Sequence, residues 1–458
     1  MEFFSRSLVL MLLYYLMWHF ASLFEIVPLA SAFYPAAGVI FLFVFHYGPR
    51  YIPVAALAIM LAGFPYDQFW HWQLENYAMS IRQLLVYSVA AVVARHLSAF
   101  SLPLKTLRDV SALILVLVAT TLVSAAVAMV ILKSLTPLPS EMLVSVFFSF
   151  WIGDLGGVLM FMAAATLFID VYEGHHVYRD DVFEQRLLWP FMLLLLIGLV
   201  VVVFFMVTGV EDVVSRVGYL ILLPVAWAAT VYGMRFALLT SLVVNLSAVA
   251  TYVLLALDNY PVLDFQLLFV VTVIMAMILG ASLEEREQAR FDAAHDPLTR
   301  AMNRRAFFVQ GSALFERARR HDRDLALLMI DLDYFKLVND TWGHKSGDQV
   351  LMAVAECCRH ACRQTDLHAR LGGEEFVLLL DDANHEQAAV VAERLRESVQ
   401  KVIVPFTNHS LTASIGISQL TKSTHSLEDM LIQADKALYA AKADGRNNCK
   451  MFSALPVA

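Results

Sequence analysis

Apolar residues fill this chain as far as Leu283, and charge then arrives abruptly in Glu284-Glu285-Arg286-Glu287 and Arg290. No single water-soluble core suits such a division, because a run of roughly 20 mostly apolar residues is long enough to cross the hydrocarbon of a bilayer. The chain is 59% hydrophobic and 16% charged, whereas soluble domains carry about one charged residue in four, so part of it belongs in lipid. Ten candidate spans are centred near residues 15, 37, 58, 89, 120, 155, 197, 225, 246 and 273, the third and eighth weakly apolar. The first apolar stretch, Leu8 to Leu23, carries His19 and no small-residue cleavage site. It reads as a membrane helix rather than a removable signal.

Lysine and arginine collect on the cytoplasmic side of membrane helices. With the N-terminus inside, the inner segments hold Arg6, Arg50, Arg95, Lys105, Arg108, Arg179, Arg186 and Arg235; the outer ones hold Lys133, Arg216 and, at a helix edge, Arg82. Both ends are then cytoplasmic and the number of spans is even, about eight or ten. The expected organisation is a polytopic α-helical membrane domain over residues 1–283, a helical signalling linker over 284–295 and a cytoplasmic α/β domain over 296–458. Leu283, Arg286, Gln288, Phe291 and Ala294 give the linker an amphipathic pattern, suited either to carrying a movement or to serving as a solvated spacer. Trp70, His71 and Trp72 fit an interfacial aromatic belt.

All four cysteines, Cys357, Cys358, Cys362 and Cys449, lie in the C-terminal part without the paired spacing of a zinc site, so they read as reduced thiols. A net charge of −8 provides no basic footprint for nucleic acid.

Beyond the linker the pattern alternates. Helices are expected over Ala306 to Arg320, Gly347 to Arg363, Glu386 to Val399 and Leu427 to Lys442; strands over Asp324 to Asp331 and Leu411 to Ile417, with a hairpin around Gly372. This order indicates one α/β domain with a sheet covered by helices. Its chemistry gathers at Gly372-Gly373-Glu374-Glu375-Phe376, where two glycines and two acids sit between strands. Such a run is by itself ordinary hairpin chemistry. A second acid, Asp331, ends the preceding strand, and Asp333 stands two residues on. Carboxylates at a strand end and on a neighbouring turn suit Mg²⁺, which takes oxygen ligands and leaves positions for phosphates. Asp331 could instead cap the helix that follows.

From Asp296 to Phe452 the separated motifs resemble a GGDEF domain, the catalytic module of diguanylate cyclases, in the spelling GGEEF. They are Asp296-Pro297-Leu298-Thr299 with Asn303-Arg304-Arg305, Asp331 through Lys336, Asn339-Asp340, Gly343-His344, Gly347-Asp348, Arg370 through Phe376, Ser414 through Ser418, and Ala434-Asp435 through Tyr439, Lys442, Gly445, Arg446 and Asn447. Ala301 stands where the opening motif usually has leucine. The resemblance implies a nucleotidyl-cyclase-like mixed sheet surrounded by helices, and the joining of two GTP into cyclic di-GMP with release of two pyrophosphates. It implies that Asp331, Glu374 and the carbonyl of Leu332 hold Mg²⁺ or Mn²⁺, two ions per active site, and that Asn339 and Asp348 read the guanine edge. Phosphate contacts would come from amides between Asp333 and Lys336, taking in Phe335, and from Lys442 and Arg446. Gly372 and Gly373 leave room for the nucleotide, and His344 belongs to the same substrate-binding set. Glu375 is the acid nearest the reacting hydroxyl, with either Glu375 or a metal-bound hydroxide taking the proton. Each domain binds one GTP, so catalysis implies a homodimer.

Arg363-Gln364-Thr365-Asp366 resembles the family's inhibitory product site, with Arg363 and Asp366 meeting cyclic di-GMP; by itself the pattern is a common surface ion pair. Over about residues 10 to 280 the chain resembles the first class of membrane-associated sensor domains, through Tyr34-Pro35-Ala36-Ala37-Gly38, Gly48-Pro49-Arg50 with Pro53, and Trp151 through Gly157. Within that half Asp154 is an intramembrane acid, which either faces a ligand cavity, pairs with a base such as His19, or hydrogen-bonds between close-packed helices. The whole reads as a polytopic bacterial inner-membrane sensor whose signal alters how two cytoplasmic cyclase domains meet. Two rivals are a receptor that binds GTP or cyclic di-GMP without turnover, and a transporter with a regulatory domain. The intact acidic and guanine-reading residues weigh against the first, and few intramembrane charges against the second.

Overall fold

The computed structural model describes residues 2–22, 25–27, 30–31, 33–63, 74–104, 106–135, 140–172, 222–254, 262–403 and 410–453. Two compact units divide it, Met1–Glu287 and Gln288–Ala458.

The first unit is helical. Its described helices are α1 (Glu2–Ser22), α2 (Ala36–Tyr47), α3 (Ile52–Gly63), α4 (Leu74–His96), α5 (Leu107–Leu135), α6 (Leu143–Tyr172), α7 (Leu222–Tyr232), α8 (Met234–Leu254) and α9 (Val262–Ala294). Among the described residues five helices are long and apolar enough to cross a membrane, namely α1, α4, α5, α6 and α9. The segments expected near 37, 58 and 225 are shorter apolar helices, and the one near 246 lies in α8. The span expected near 197 lies outside the described residues, as do Trp70, His71, Trp72, Lys105, Arg179, Arg186 and Arg216.

Asp154 does not meet His19. Its Oδ2 accepts from Tyr87 Oη at 2.9 Å and Ser124 Oγ at 3.0 Å, and Arg82 Nη1 stands 3.8 Å away. Arg82, read from the sequence as a helix-edge charge, is buried, and it also donates to Ser124 through both the carbonyl, at 3.0 Å, and the hydroxyl. Beside this pair, Tyr14 and Tyr34 both donate to Gln83 Oε1, at 3.0 and 3.2 Å. His19 packs instead against the rings of Tyr15 and Trp18. An isolated charge at membrane depth is costly, so pairing and hydroxyl donors are what let both ions stay buried. Gly157 permits the close approach behind them: a Cβ there would lie 2.3 Å from the Tyr34 backbone.

The second unit contains a six-stranded mixed sheet among helices. Its elements are β1 (Met302–Asn303), α10 (Arg304–Arg320), β2 (Leu325–Leu332), α11 (Phe335–Trp342), α12 (His344–Ala361), β3 (Leu367–Gly372), β4 (Glu375–Asp381), α13 (His385–Gln400), β5 (Ala413–Gln419), α14 (Leu427–Ala443) and β6 (Cys449–Met451). The strand order is β1-β3-β4-β2-β5-β6, with β1/β3 and β5/β6 parallel and the other pairs antiparallel.

Every residue of β2 is buried, which a central strand covered on both faces requires. Strand side chains alternate between faces. Ala326, Leu328, Ile330 and Leu332 accordingly join Phe335, Val338, Val350, Val354 and Leu395 in one core, while Leu325, Leu327 and Met329 join Phe307, Phe315, Met430 and Leu438 in the other. Asp331 has the parity of the second set, and so emerges on the sheet face that α10 and α14 cover. The strand continues through Leu332, so Asp331 lies inside it and caps nothing; the N-cap of α11 is Tyr334, without a side-chain bond.

Candidate active site

Register assembles the acids. In β2 Asp331 pairs with Glu375 of β4 on one side and Ser414 of β5 on the other. Directly opposed residues on neighbouring strands project from the same face. Leu332 extends past the end of the β4 pairing and is matched only with Ala413 of β5. From the last turn of α14, Lys442 Nζ reaches Asp331 Oδ1 at 2.8 Å.

Partial burial pushes the Glu375 carboxyl above its ordinary range, helped by Asp331; Lys442 pulls it down, and Asp435 and Glu374 push it up again. Three other carboxylates and one ammonium thus act on Glu375. Such an excess of oxygen ligands and negative charge fits a divalent cation with oxygen preference. Among the described residues no three His, Cys, Asp or Glu groups converge as an all-side-chain metal cage. Magnesium held by one or two carboxylates, a carbonyl and substrate phosphates needs none.

The turn bearing Glu374 is held open from outside. Arg370 donates from Nε and Nη2 to Gly373 O at 3.0 and 2.8 Å, and from Nη1 to Asp296 Oδ1 at 3.0 Å. Gly373 has φ +53°, and nothing lies within 4 Å of where a Cβ would stand on Gly372 or Gly373. The space above the turn is therefore open.

Asp333 proves to be a support. Buried, it accepts from Thr412 Oγ1 at 2.8 Å, Ser414 Oγ at 2.7 Å and Asn447 N at 3.0 Å. Its own N–H donates to Thr412 O, and that of Leu337 to Tyr334 O. Of the amides expected to meet phosphate, those of Tyr334, Phe335 and Lys336 remain at the start of α11, where helix N–H groups lack intrahelical partners. Phe335 is buried and its ring lies over Gly347, while Lys336 is exposed. Asn339 lies against Gly347, the residue before Asp348, and a Cβ there would stand 2.0 Å from Asn339 Oδ1. His344 opens α12, exposed. Arg446 lies over the Tyr334 ring, 4.7 Å from its centroid.

Arg363 and Asp366 form no ion pair. Asp366 Oδ2 accepts from Arg363 N at 2.7 Å and Oδ1 from Asp381 N at 3.0 Å, so it secures the turn before β3. Arg363 is exposed. Reasoning from sequence named Asp296, Arg370 and Asp435 as motif members and gave them no task. Their signal was charge beside the glycine pair, and only folding shows which charges meet.

Residues 6–287 match the family model MASE1, and residues 293–448 match the model described as diguanylate cyclase, GGDEF domain. The chain belongs to the MASE1 family and carries a GGDEF domain. A protein of Vibrio cholerae named diguanylate cyclase is 35% identical over 170 residues, covering 37% of this chain and 53% of that protein. A Pseudomonas aeruginosa protein named cyclic di-GMP phosphodiesterase NbdA is 38% identical over 172 residues, covering 37% of this chain and 21% of its own length. Among solved structures, the coiled coil and GGDEF domain of DgcB from Caulobacter crescentus, in complex with c-di-GMP, matches at 32% identity with a TM-score of 0.35, over 37% of this chain and 90% of that one. The matched part is about half the length of the first of these relatives, or less.

Proposed function

We propose that the C-terminal unit condenses two GTP into cyclic di-GMP and two pyrophosphates, under control of the membrane unit, with residues 284–295 as the connecting linker. The observation that supports this best is the pairing of Asp331 with Glu375 across β2 and β4, beneath the Lys442 ammonium at 2.8 Å. Asp331, Glu374 and the Leu332 carbonyl would hold the Mg²⁺ ions. When bound, these ions supply positive charge at the α-phosphate and lower the pKa of the attacking 3′-hydroxyl.

The protein's own groups do the rest. Asn339 and Asp348 orient the guanine edge, while the Tyr334 to Lys336 amides, Lys442 and Arg446 take the phosphates. Glu375 accepts the 3′-hydroxyl proton, a task suited to a carboxyl whose pKa is raised. In each of two steps a 3′-O–Pα bond forms, the Pα–O bond to the β-phosphate breaks, and pyrophosphate leaves with the electron pair. One unit holds one GTP, so two copies must face each other. Product occupying Arg363 and Asp366 would restrain turnover.

The test is the full chain in lipid nanodiscs with GTP and Mg²⁺. Glu374→Ala is expected to reduce cyclic di-GMP formation at least a hundredfold while the protein remains folded. Retained turnover would remove Glu374 from the metal site. Wild-type protein that binds GTP and leaves it unchanged would favour the receptor.

A further inference from the structure

The turn that ends α14 carries Gly445, Arg446 and Asn447 at φ +98°, +62° and +47°, three successive residues in left-handed conformations. Non-glycine residues rarely adopt this region, so the surroundings must hold them there. Several ties do so, among them Arg446 N–H to Ala441 O at 3.2 Å and Arg396 Nη1 to Asn447 Oδ1 at 2.7 Å, and two others lead to one place. The Asn447 N–H donates to Asp333 Oδ2 at 3.0 Å, and the Arg446 guanidinium lies 4.7 Å from the ring centroid of Tyr334, the next residue along. Tyr334 is itself left-handed at φ +58°, and the residue is 63% exposed rather than in the core.

From this geometry we propose that Tyr334 is a positioning residue, holding the Arg446 guanidinium over the start of α11 so that it meets the polyphosphate of an incoming nucleotide. The proposal rests on the GTP-binding reading above and adds a residue to it. A long arginine side chain loses rotamer freedom on engaging a ligand. An aromatic face that gathers the guanidinium beforehand lowers that cost. Arg446 and the Tyr334 to Lys336 amides then converge on one anion. Tyr334 supplies both the ring beneath the arginine and one of those amides.

The test measures binding of a non-condensing GTP analogue, and KM and kcat for GTP, with the full chain in nanodiscs. Tyr334→Asn tolerates the left-handed backbone and removes the ring; Tyr334→Phe keeps the ring. Tyr334→Asn is expected to weaken analogue binding and raise KM about two- to fivefold, the scale of an exposed cation–π contact, with kcat changed less than twofold. Tyr334→Phe should match wild type, and in an Arg446→Ala background Tyr334→Asn should add nothing. Unchanged affinity, an equal loss in the Arg446→Ala background, or an equal loss for guanosine without phosphates would overturn the proposal. Wild type that binds the analogue without making cyclic di-GMP defeats the cyclase reading alone, and absence of analogue binding defeats both.

Discussion

Glu375 occupies a position that resists its ionisation, because partial burial and the Asp331, Asp435 and Glu374 carboxylates outweigh the nearby Lys442. A carboxyl raised in this way contributes its stability while protonated and loses it as pH climbs through the folded-state pKa. Glu375→Gln is therefore expected to melt above wild type at pH 8, with the gap closing as pH falls through the carboxylate range, and to lose turnover. A gap that does not vary with pH would contradict this placement. Asp366 holds two backbone N–H groups, at 2.7 and 3.0 Å, and its removal would damage the turn. Arg363 gives the cleaner variant. Arg363→Ala is expected to relieve inhibition by cyclic di-GMP roughly tenfold or more, the scale of a lost charged hydrogen bond, with the initial rate retained; unchanged inhibition would remove the product site. At this scale the sequence made residue types legible but hid their partners. Asp154 stood out as an intramembrane acid, yet its basic neighbour, Arg82, lies 72 positions earlier, and no local pattern joins them.

Among the elements, β2 was the most legible, since an apolar run ending in an acid has few other readings, and it differs from expectation only by starting at Leu325 and ending at Leu332. The helix α11 was expected only as an unbounded helix after Asp331. It is eight residues long, and its buried positions are Phe335 and Val338, too few for a helical period to stand out. Contact between α14 and β5 decides where Lys442 arrives. A Cβ on Gly416 would stand 2.0 Å from Ala434 O and 2.3 Å from Leu438 N, and both are backbone atoms of α14 that cannot rotate aside. Gly416→Ala is thus expected to destabilise the C-terminal unit by about 3 kcal/mol or more and to lower turnover with it, as read by thermal unfolding and product assay. A wild-type melting curve would show that α14 rides higher on the sheet than described.

For the molecule as a whole, composition changes at Leu283, and the two compact units divide between Glu287 and Gln288. The number of spans was less legible, because hydropathy locates apolar segments without fixing helix lengths. Three of the expected segments are helices too short to qualify as spans, a fourth lies in α8, and a fifth falls outside the described residues. The proposed reaction also belongs to this scale, since one site holds one nucleotide and the product needs two. Its most direct test follows GTP consumed by the full chain in nanodiscs with Mg²⁺, using chromatography with mass detection. One cyclic di-GMP and two pyrophosphates for every two GTP are expected, and GTP bound without conversion, or cleaved to GDP, would contradict the cyclase assignment.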